Sequence, residues 1–203
     1  EGVLSDLQDQ ERKIIAAVEK RWRSGRGAGD TRPDLMLLHR RYGQDRLESL
    51  LAGKGATGSG RVENAIRARL SELDPLSGLP LGTALMNLAT GPDGWLQQLA
   101  RHAGEPVQYA TAGQLLALAG DYRLAADQFE QAAAFYPEPG AAQGRGHQEI
   151  QVRLWHEQVW WLLTAGEVAR ARTLAARFAE AVPASSREGE FFRRVRAIQG
   201  NFE

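Results

Sequence analysis

The sequence predicts an all-α fold, and three observations support this. No segment alternates apolar and polar residues at every second position, which is the pattern of a half-buried strand. Valine and isoleucine are sparse, whereas alanine, leucine, arginine and glutamate, which favour helices, are abundant. Apolar residues instead recur three and four positions apart along most of the 203-residue chain.

Residues 1–104 are predicted to form an N-terminal helical region. A capping-box pattern at Ser5 starts a first helix that ends near Arg23. A second helix begins at Pro33, a residue suited to the first helical turn, and ends before Gly43. Asp45 then caps a third helix. The rest of the region is predicted as a glycine-rich loop over 53–60, followed by helices over 62–73, 83–89 and 92–99.

Composition argues against several classes of function. The 25 basic and 25 acidic residues give zero net charge, so no nucleic-acid partner is expected, because nucleic-acid binders usually carry a basic excess. The absence of cysteine excludes disulfides, thiolate metal sites and thiol nucleophiles. The apolar runs are far shorter than the ~18 residues of a membrane-spanning helix.

No catalytic residue, cofactor or metal site is predicted. His156 and Glu157 begin as the zinc-protease motif does, but Trp160 stands where the second histidine belongs. The glycine-rich segment 53–61 lacks the Gly-Lys-Ser/Thr ending of a phosphate-binding loop. We therefore expect a protein that is not an enzyme, although a fold by itself never excludes catalysis.

The second half of the chain, 105–203, contains a repeated pattern. Each copy has an aromatic residue, a glycine eleven positions later, an alanine five positions after the glycine, and a proline twelve positions after the alanine. The two sets are Tyr109, Gly120, Ala125 and Pro137, and Trp155, Gly166, Ala171 and Pro183.

This pattern resembles the tetratricopeptide repeat (TPR) family, whose unit of about 34 residues is a helix–turn–helix. The resemblance implies a right-handed solenoid of helical hairpins. In it the glycines make tight turns, the alanines lie where two helices cross closely, and the aromatic residues fill the space between helices. In the second unit Val159 replaces the usual glycine and Ala175 the usual aromatic residue.

The repeats are neither contiguous nor complete. A glycine-rich insertion at 138–148 separates the first two units and is predicted to be a mobile loop, so the next helix should start near Gln148. A partial third copy begins with Phe192 and has Gly189 in the slot of the aromatic residue.

The TPR resemblance implies that the first helix of each unit lines a concave groove. Tryptophan and arginine often supply most of the binding energy at an interface. We therefore expect a protein or peptide to bind in the groove. The alternative is that the insertion or the N-terminal helices cover Trp160. The residues predicted to contact the partner are Arg153, His156, Trp160, Gln114 and Ala117.

The function predicted is that of a non-catalytic scaffold or adaptor for protein–protein interaction. The alternative is a helical accessory domain excised from a larger bacterial enzyme or secretion or assembly protein, because the chain starts without methionine and stops within the third copy. The preference for arginine over lysine indicates a GC-rich bacterial genome. Cytoplasm and periplasm both fit the sequence, and it does not indicate an oligomeric state.

Overall fold

The computed structural model describes residues 2–23, 32–55, 57–72, 104–137 and 145–200. Every regular element in these residues is an α-helix, which confirms the predicted all-α class. None of the helices is both long and apolar enough to cross a bilayer. In chain order they are α1 Gly2–Arg23, α2 Arg32–Leu51, α3 Gly60–Glu72, α4 Gly104–Ala119, α5 Tyr122–Ala133, α6 Arg145–Ala165, α7 Val168–Ala181 and α8 Arg187–Arg196.

Helix α2 runs through Gly43 without interruption, so the prediction of two helices separated there is wrong. Gly43 is buried, and a β-carbon added to it would stand 2.5 Å from Oγ1 of Thr164 on α6. The glycine therefore marks a close crossing between two helices and does not end one. Helix α1 also departs from prediction, since it begins three residues before Ser5.

The loop predicted after α2 is present over residues 52–55 and 57–59. Gly53 and Gly55 have φ angles of 69° and 80°, in the left-handed region that favours glycine. Oγ of Ser59 accepts a hydrogen bond of 3.3 Å from the backbone N–H of Val62, so Ser59 caps α3. The helices predicted over 83–89 and 92–99 lie outside the described residues.

Two helical hairpins form the second half. Helices α4 and α5 are joined at Gly120, and α6 and α7 are joined at Gly166; the φ angles of these glycines are 89° and 87°. This confirms the two predicted tight turns. Ala125 and Ala171 are fully buried, as predicted for positions of close helix crossing. Helix α5 packs against both α4 and α6, and α8 packs against α7 and α6.

At one pair of facing positions, the two hairpins carry their large and small residues on opposite helices. In the first, a β-carbon at Gly113 on α4 would lie 2.8 Å from the Phe129 ring on α5. In the second, the equivalent positions hold Val159 and Ala175, both fully buried. The larger residue thus lies on the second helix of one hairpin and on the first helix of the other.

The two repeat aromatics differ in burial. Trp155 is buried and stacks on Phe178 with ring centroids 4.5 Å apart, which agrees with the prediction. Tyr109 is 37% exposed and lies against Phe135 at 5.8 Å, so the prediction that it fills the space between helices is wrong. The physical reason is that the first hairpin has Ala132 at the position equivalent to Phe178, so Tyr109 lacks the ring on which Trp155 stacks.

The insertion is shorter than predicted. Helix α6 begins at Arg145, so the last four residues of the segment 138–148 are helical, and the helix starts three residues before Gln148. Residues 138–144 lie outside the described part of the chain. In the third copy, a β-carbon at Gly189 would lie 2.0 Å from the carbonyl oxygen of Pro183, which explains why no aromatic residue stands there.

Helix α2 belongs to two hydrophobic clusters. Its Leu47 and Leu50 pack in the large cluster formed by the hairpins and α8. Its Leu35 and Leu38 pack in a smaller cluster with residues of α1 and α3 and with Leu118 of α4. The N-terminal helices are therefore joined to the hairpins mainly through α2.

Candidate interaction site between helix α2 and helices α4 and α6

Part of the surface on which the sequence predicts a partner, at Gln114 and Trp160, is covered by α2. This helix packs on both α4 and α6. We call the surface beneath it the α4–α6 face. This arrangement matches the alternative in which N-terminal helices cover Trp160. The α4–α6 face consists of Gln114 on α4 and of Glu157, Trp160, Trp161 and Thr164 on α6.

Close approach of α2 to α6 depends on Gly43. A β-carbon at this position would stand 2.9 Å from Nε1 of Trp160, in addition to its overlap with Thr164. One turn further along α2, Arg46 donates a hydrogen bond to the backbone carbonyl of Thr164. The two helix backbones therefore meet where α2 carries no side chain.

An ion pair links Arg40 of α2 to Glu157 of α6. Nη2 of Arg40 lies 2.7 and 2.6 Å from the two carboxylate oxygens of Glu157. The Glu157 side chain is 7% exposed, whereas the Arg40 side chain is 29% exposed. An isolated buried carboxylate would be costly, so Glu157 depends on the arginine for its charge compensation.

Other polar groups surround the same carboxylate. Nε1 of Trp161 donates a hydrogen bond of 3.0 Å to Oε2 of Glu157, and Nε2 of Gln114 donates one of 3.3 Å. Nδ1 of His156 lies 3.8 Å from Oε1. Burial raises the pKa of Glu157, but the charge of Arg40 and the neighbouring His156 more than offset this and bring it to about 2. Glu157 is therefore ionised throughout the physiological pH range.

Two indole rings flank the guanidinium group. Cζ of Arg40 lies 4.7 Å from the ring centroid of Trp161 and 5.7 Å from that of Trp160, both within the range of cation–π attraction. Trp161 is fully buried and stacks on Tyr122, with centroids 5.6 Å apart and an interplanar angle of 8°. This stacking holds the Trp161 ring in place beneath the arginine.

A second buried polar contact lies beside the ion pair. Nδ1 of His39 on α2 lies 2.7 Å from the hydroxyl oxygen of Tyr122 on α5. Burial lowers the pKa of His39 to about 4, with the backbone carbonyl of Leu118 acting in the opposite direction. His39 is therefore neutral at physiological pH. Burial also raises the pKa of Tyr122.

The five predicted contact residues do not form one open surface. Gln114 is buried and donates a hydrogen bond to Glu157, and Ala117 is fully buried within the hairpin cluster. Trp160 is half-buried, and His156 lies between it and Phe191 of α8, 4.4 Å from the Phe191 ring. Arg153 forms an ion pair of 3.0 Å with Glu188 of α8. A partner would reach Gln114 only if α2 left the α4–α6 face, whereas Ala117 lies within the hairpin cluster.

Three residues of the site were missed in the sequence analysis. Glu157 was considered only as part of an incomplete zinc motif. Trp161 was noted neither as a core residue nor as a contact. Arg40 lies outside the repeats, and no local pattern connects it to a position 117 residues away. The available signal was a glutamate and two tryptophans within five residues on a helix.

Among the described residues, no three histidine, aspartate or glutamate side chains come together as metal ligands would. No protein-family model matches the chain, and no curated protein or solved structure matches it either. Function is therefore inferred from contacts within the molecule.

Proposed function

We propose that the protein is a non-catalytic interaction scaffold whose α4–α6 face holds a helical segment of a partner protein. The observation that carries the proposal is that this face already holds a helix, α2 of the same chain. It offers a buried anion, two indole rings and a flat crossing point at Thr164. Helix-in-groove binding is a common mode of peptide recognition.

The proposal includes a TPR-like solenoid for α4–α8. Support comes from the two glycine turns, the buried alanines that follow them and the packing of α5 between α4 and α6. In such a solenoid the first helices of successive hairpins form the concave side. Helices α4 and α6 are those first helices, so α2 occupies the side that a partner would enter.

A non-catalytic role is favoured by the state of the buried acid. A general acid or base works best with a pKa near the operating pH. The pKa of Glu157 is instead about 2, because Arg40 stabilises its charged form. The hydrogen bonds from Gln114 and Trp161 further engage its carboxylate. This group is suited to holding a cation and poorly suited to transferring a proton.

In this proposal the partner helix takes the place of α2. Leu47 and Leu50 of α2 are buried in the large cluster of the hairpins, so a partner helix in its place must supply apolar residues at the corresponding positions. Leu35 and Leu38 of α2 pack mainly with α1 and α3. Departure of α2 from α6 would expose Trp160 and free Glu157 for another cation.

A disulfide that fixes α2 to α6 tests the proposal. The chain has no cysteine, so Gly43→Cys with Thr164→Cys can form only one disulfide. A β-carbon at Gly43 would lie 2.5 Å from the Thr164 hydroxyl oxygen, so the two positions are close enough for a disulfide once the helices shift slightly to relieve that overlap. Both forms of the protein are used as bait in an extract of the source organism, and the captured proteins are quantified by mass spectrometry.

We expect the reduced bait to capture proteins that the oxidised bait does not. Chains carrying only Gly43→Cys or only Thr164→Cys are the controls. The first shows the effect of the added β-carbon on α2 by itself, and oxidation should not change the set of proteins that either control captures. Thermal melting should show that the oxidised double variant is folded and at least as stable as its reduced form. If the oxidised bait captures the same proteins in the same amounts, the α4–α6 face is not the binding site.

A further inference from the structure

Glu157, Trp160 and Trp161 surround the end of the Arg40 side chain. The carboxylate lies within hydrogen-bond distance of Nη2, and the two ring centroids lie 4.7 and 5.7 Å from Cζ. The Arg40 side chain remains 29% exposed, so solvent reaches the space that it fills. The space is thus bounded by one anion and two aromatic rings and is open on one side.

The chemistry of this space favours guanidinium over ammonium. A guanidinium group is planar, is weakly hydrated and stacks on aromatic faces while its N–H groups point at a carboxylate. A lysine ammonium would meet the same anion, but it has no flat face to lie against indole. Tyr122 stacked on Trp161 restricts the ring that the guanidinium faces most closely.

We infer that Glu157, Trp160 and Trp161 form an arginine-recognition pocket, and that the partner helix inserts an arginine there in place of Arg40. The same helix must carry a glycine three residues after the arginine, because α2 meets Thr164 and Trp160 through Gly43. This inference rests on the proposed function and specifies the partner as a helix containing Arg-x-x-Gly. Charge complementarity with the buried Glu157 is the main selective contact.

The pocket is tested by chemical rescue of the full-length Arg40→Ala variant. This variant leaves Glu157 without its counter-ion, and we expect its melting temperature to fall well below that of the wild type. Millimolar ethylguanidinium should restore a large part of the loss, whereas ethylammonium at the same concentration should restore little. The wild type measured in both salts corrects for general salt effects. Equal effects of the two cations would overturn the inference.

Arg40→Lys provides a second measurement that remains informative if Arg40→Ala does not fold. Lysine keeps the positive charge but not the planar group. We expect a clear drop in melting temperature relative to the wild type. A melting temperature equal to that of the wild type would show that the site requires only a cation, and would overturn the arginine specificity.

The identity of the partner helix is tested with labelled peptides of residues 32–51 added to the full-length Arg40→Ala or Arg40→Lys variant. The native peptide should bind, and peptides with Arg40→Lys or Gly43→Leu should bind about tenfold or more weakly in fluorescence anisotropy, a difference of ~1.4 kcal/mol. Equal binding of all three peptides, or binding of none, would overturn the Arg-x-x-Gly inference. Capture of partners by the oxidised disulfide variant would instead overturn the proposed function, so the two failures are distinguishable.

Discussion

Gly43 of α2 lies so close to Trp160 of α6 that a β-carbon on the glycine would stand 2.9 Å from the indole nitrogen. The glycine is in the middle of a 20-residue helix, where it costs about 1 kcal/mol relative to alanine by helix propensity alone. The sequence accepts this cost because any larger residue would separate α2 from α6. The sequence predicts a helix end at this glycine, but the close crossing explains why a glycine stands inside a continuous helix.

Gly43→Ala is expected to destabilise the protein even though alanine favours helix. The overlap with Thr164 and Trp160 should outweigh the gain in propensity, for a net loss of about 1–3 kcal/mol in the free energy of unfolding. Gly60→Ala is the matched control, because a β-carbon there has no neighbour within 4 Å. Urea unfolding measures both variants. A Gly43→Ala protein as stable as the control would refute the close crossing.

The Arg40–Glu157 pair is expected to show strong coupling in a double-mutant cycle. Arg40→Met alone leaves the buried Glu157 carboxylate uncompensated and should cost about 3–5 kcal/mol, whereas Glu157→Leu alone leaves the partly exposed arginine and should cost less. The double variant, with two apolar residues, should recover most of this loss. Denaturant unfolding of the four proteins gives the coupling energy. Additive losses in the double variant would mean that the two groups do not depend on each other.

The two hairpins carry a large and a small residue at exchanged positions, so a second substitution is expected to compensate for the destabilising effect of the first. Gly113→Val should clash with the Phe129 ring and cost about 1–3 kcal/mol. Adding Phe129→Ala recreates the residue pair found at Val159 and Ala175, so the double variant should be more stable than the sum of the single losses predicts. Thermal melting of the single and double variants tests this. A double variant that loses the full sum of both single effects would contradict the equivalence of the two hairpins.

Two tryptophans on α6 are expected to differ in their contribution to stability. Trp155→Ala removes a buried ring stacked on Phe178 and should cost about 3–5 kcal/mol. Trp160→Ala removes a half-buried ring and should cost less, while weakening the binding of any arginine in the pocket. Melting temperatures separate the two roles. If Trp160→Ala melts the protein as severely as Trp155→Ala, Trp160 is a core residue and not a binding anchor.

Sequence reasoning succeeded where local spacing determines structure. The turns at Gly120 and Gly166, and the buried alanines after them, follow from spacing within a single hairpin. It failed where burial depends on residues far apart in the chain. Tyr109 lies exposed against Phe135, 26 positions later, and the placement of Arg40 on Glu157 joins residues 117 positions apart. No local periodicity carries such information.

The lowered pKa of the buried His39 side chain predicts that the stability of the protein depends on pH. Its folded-state pKa of about 4 lies below the ordinary value of 6.5, so the unfolded chain takes up a proton first as the pH falls. The contribution of neutral His39 to the free energy of unfolding is fully present above about pH 6.5 and is lost as the pH falls toward 4. The loss amounts to at most about 3 kcal/mol.

Asp45 acts in the opposite direction over part of this range. Burial raises its pKa to about 6, even though Arg41 opposes the shift, so its contribution to stability is present at low pH and is lost as the pH rises through 6. The wild type should therefore be compared with His39→Gln from pH 7 to pH 4. The difference between their unfolding free energies should change with pH. A constant difference would show that His39 does not titrate in this way.

Several residues that α2 contacts lie far behind it in the sequence, and this has a consequence during protein synthesis. His39, Arg40 and Glu48 meet partners that lie 83, 117 and 146 residues later in the chain. At ribosomal rates of about 5–20 residues per second, the apolar side of α2 that packs in the hairpin cluster waits on the order of ten seconds for its partners. The hairpins need only nearby residues to fold and should form quickly. During that interval chaperones or a second nascent chain can reach the side of α2 that later packs on the hairpins.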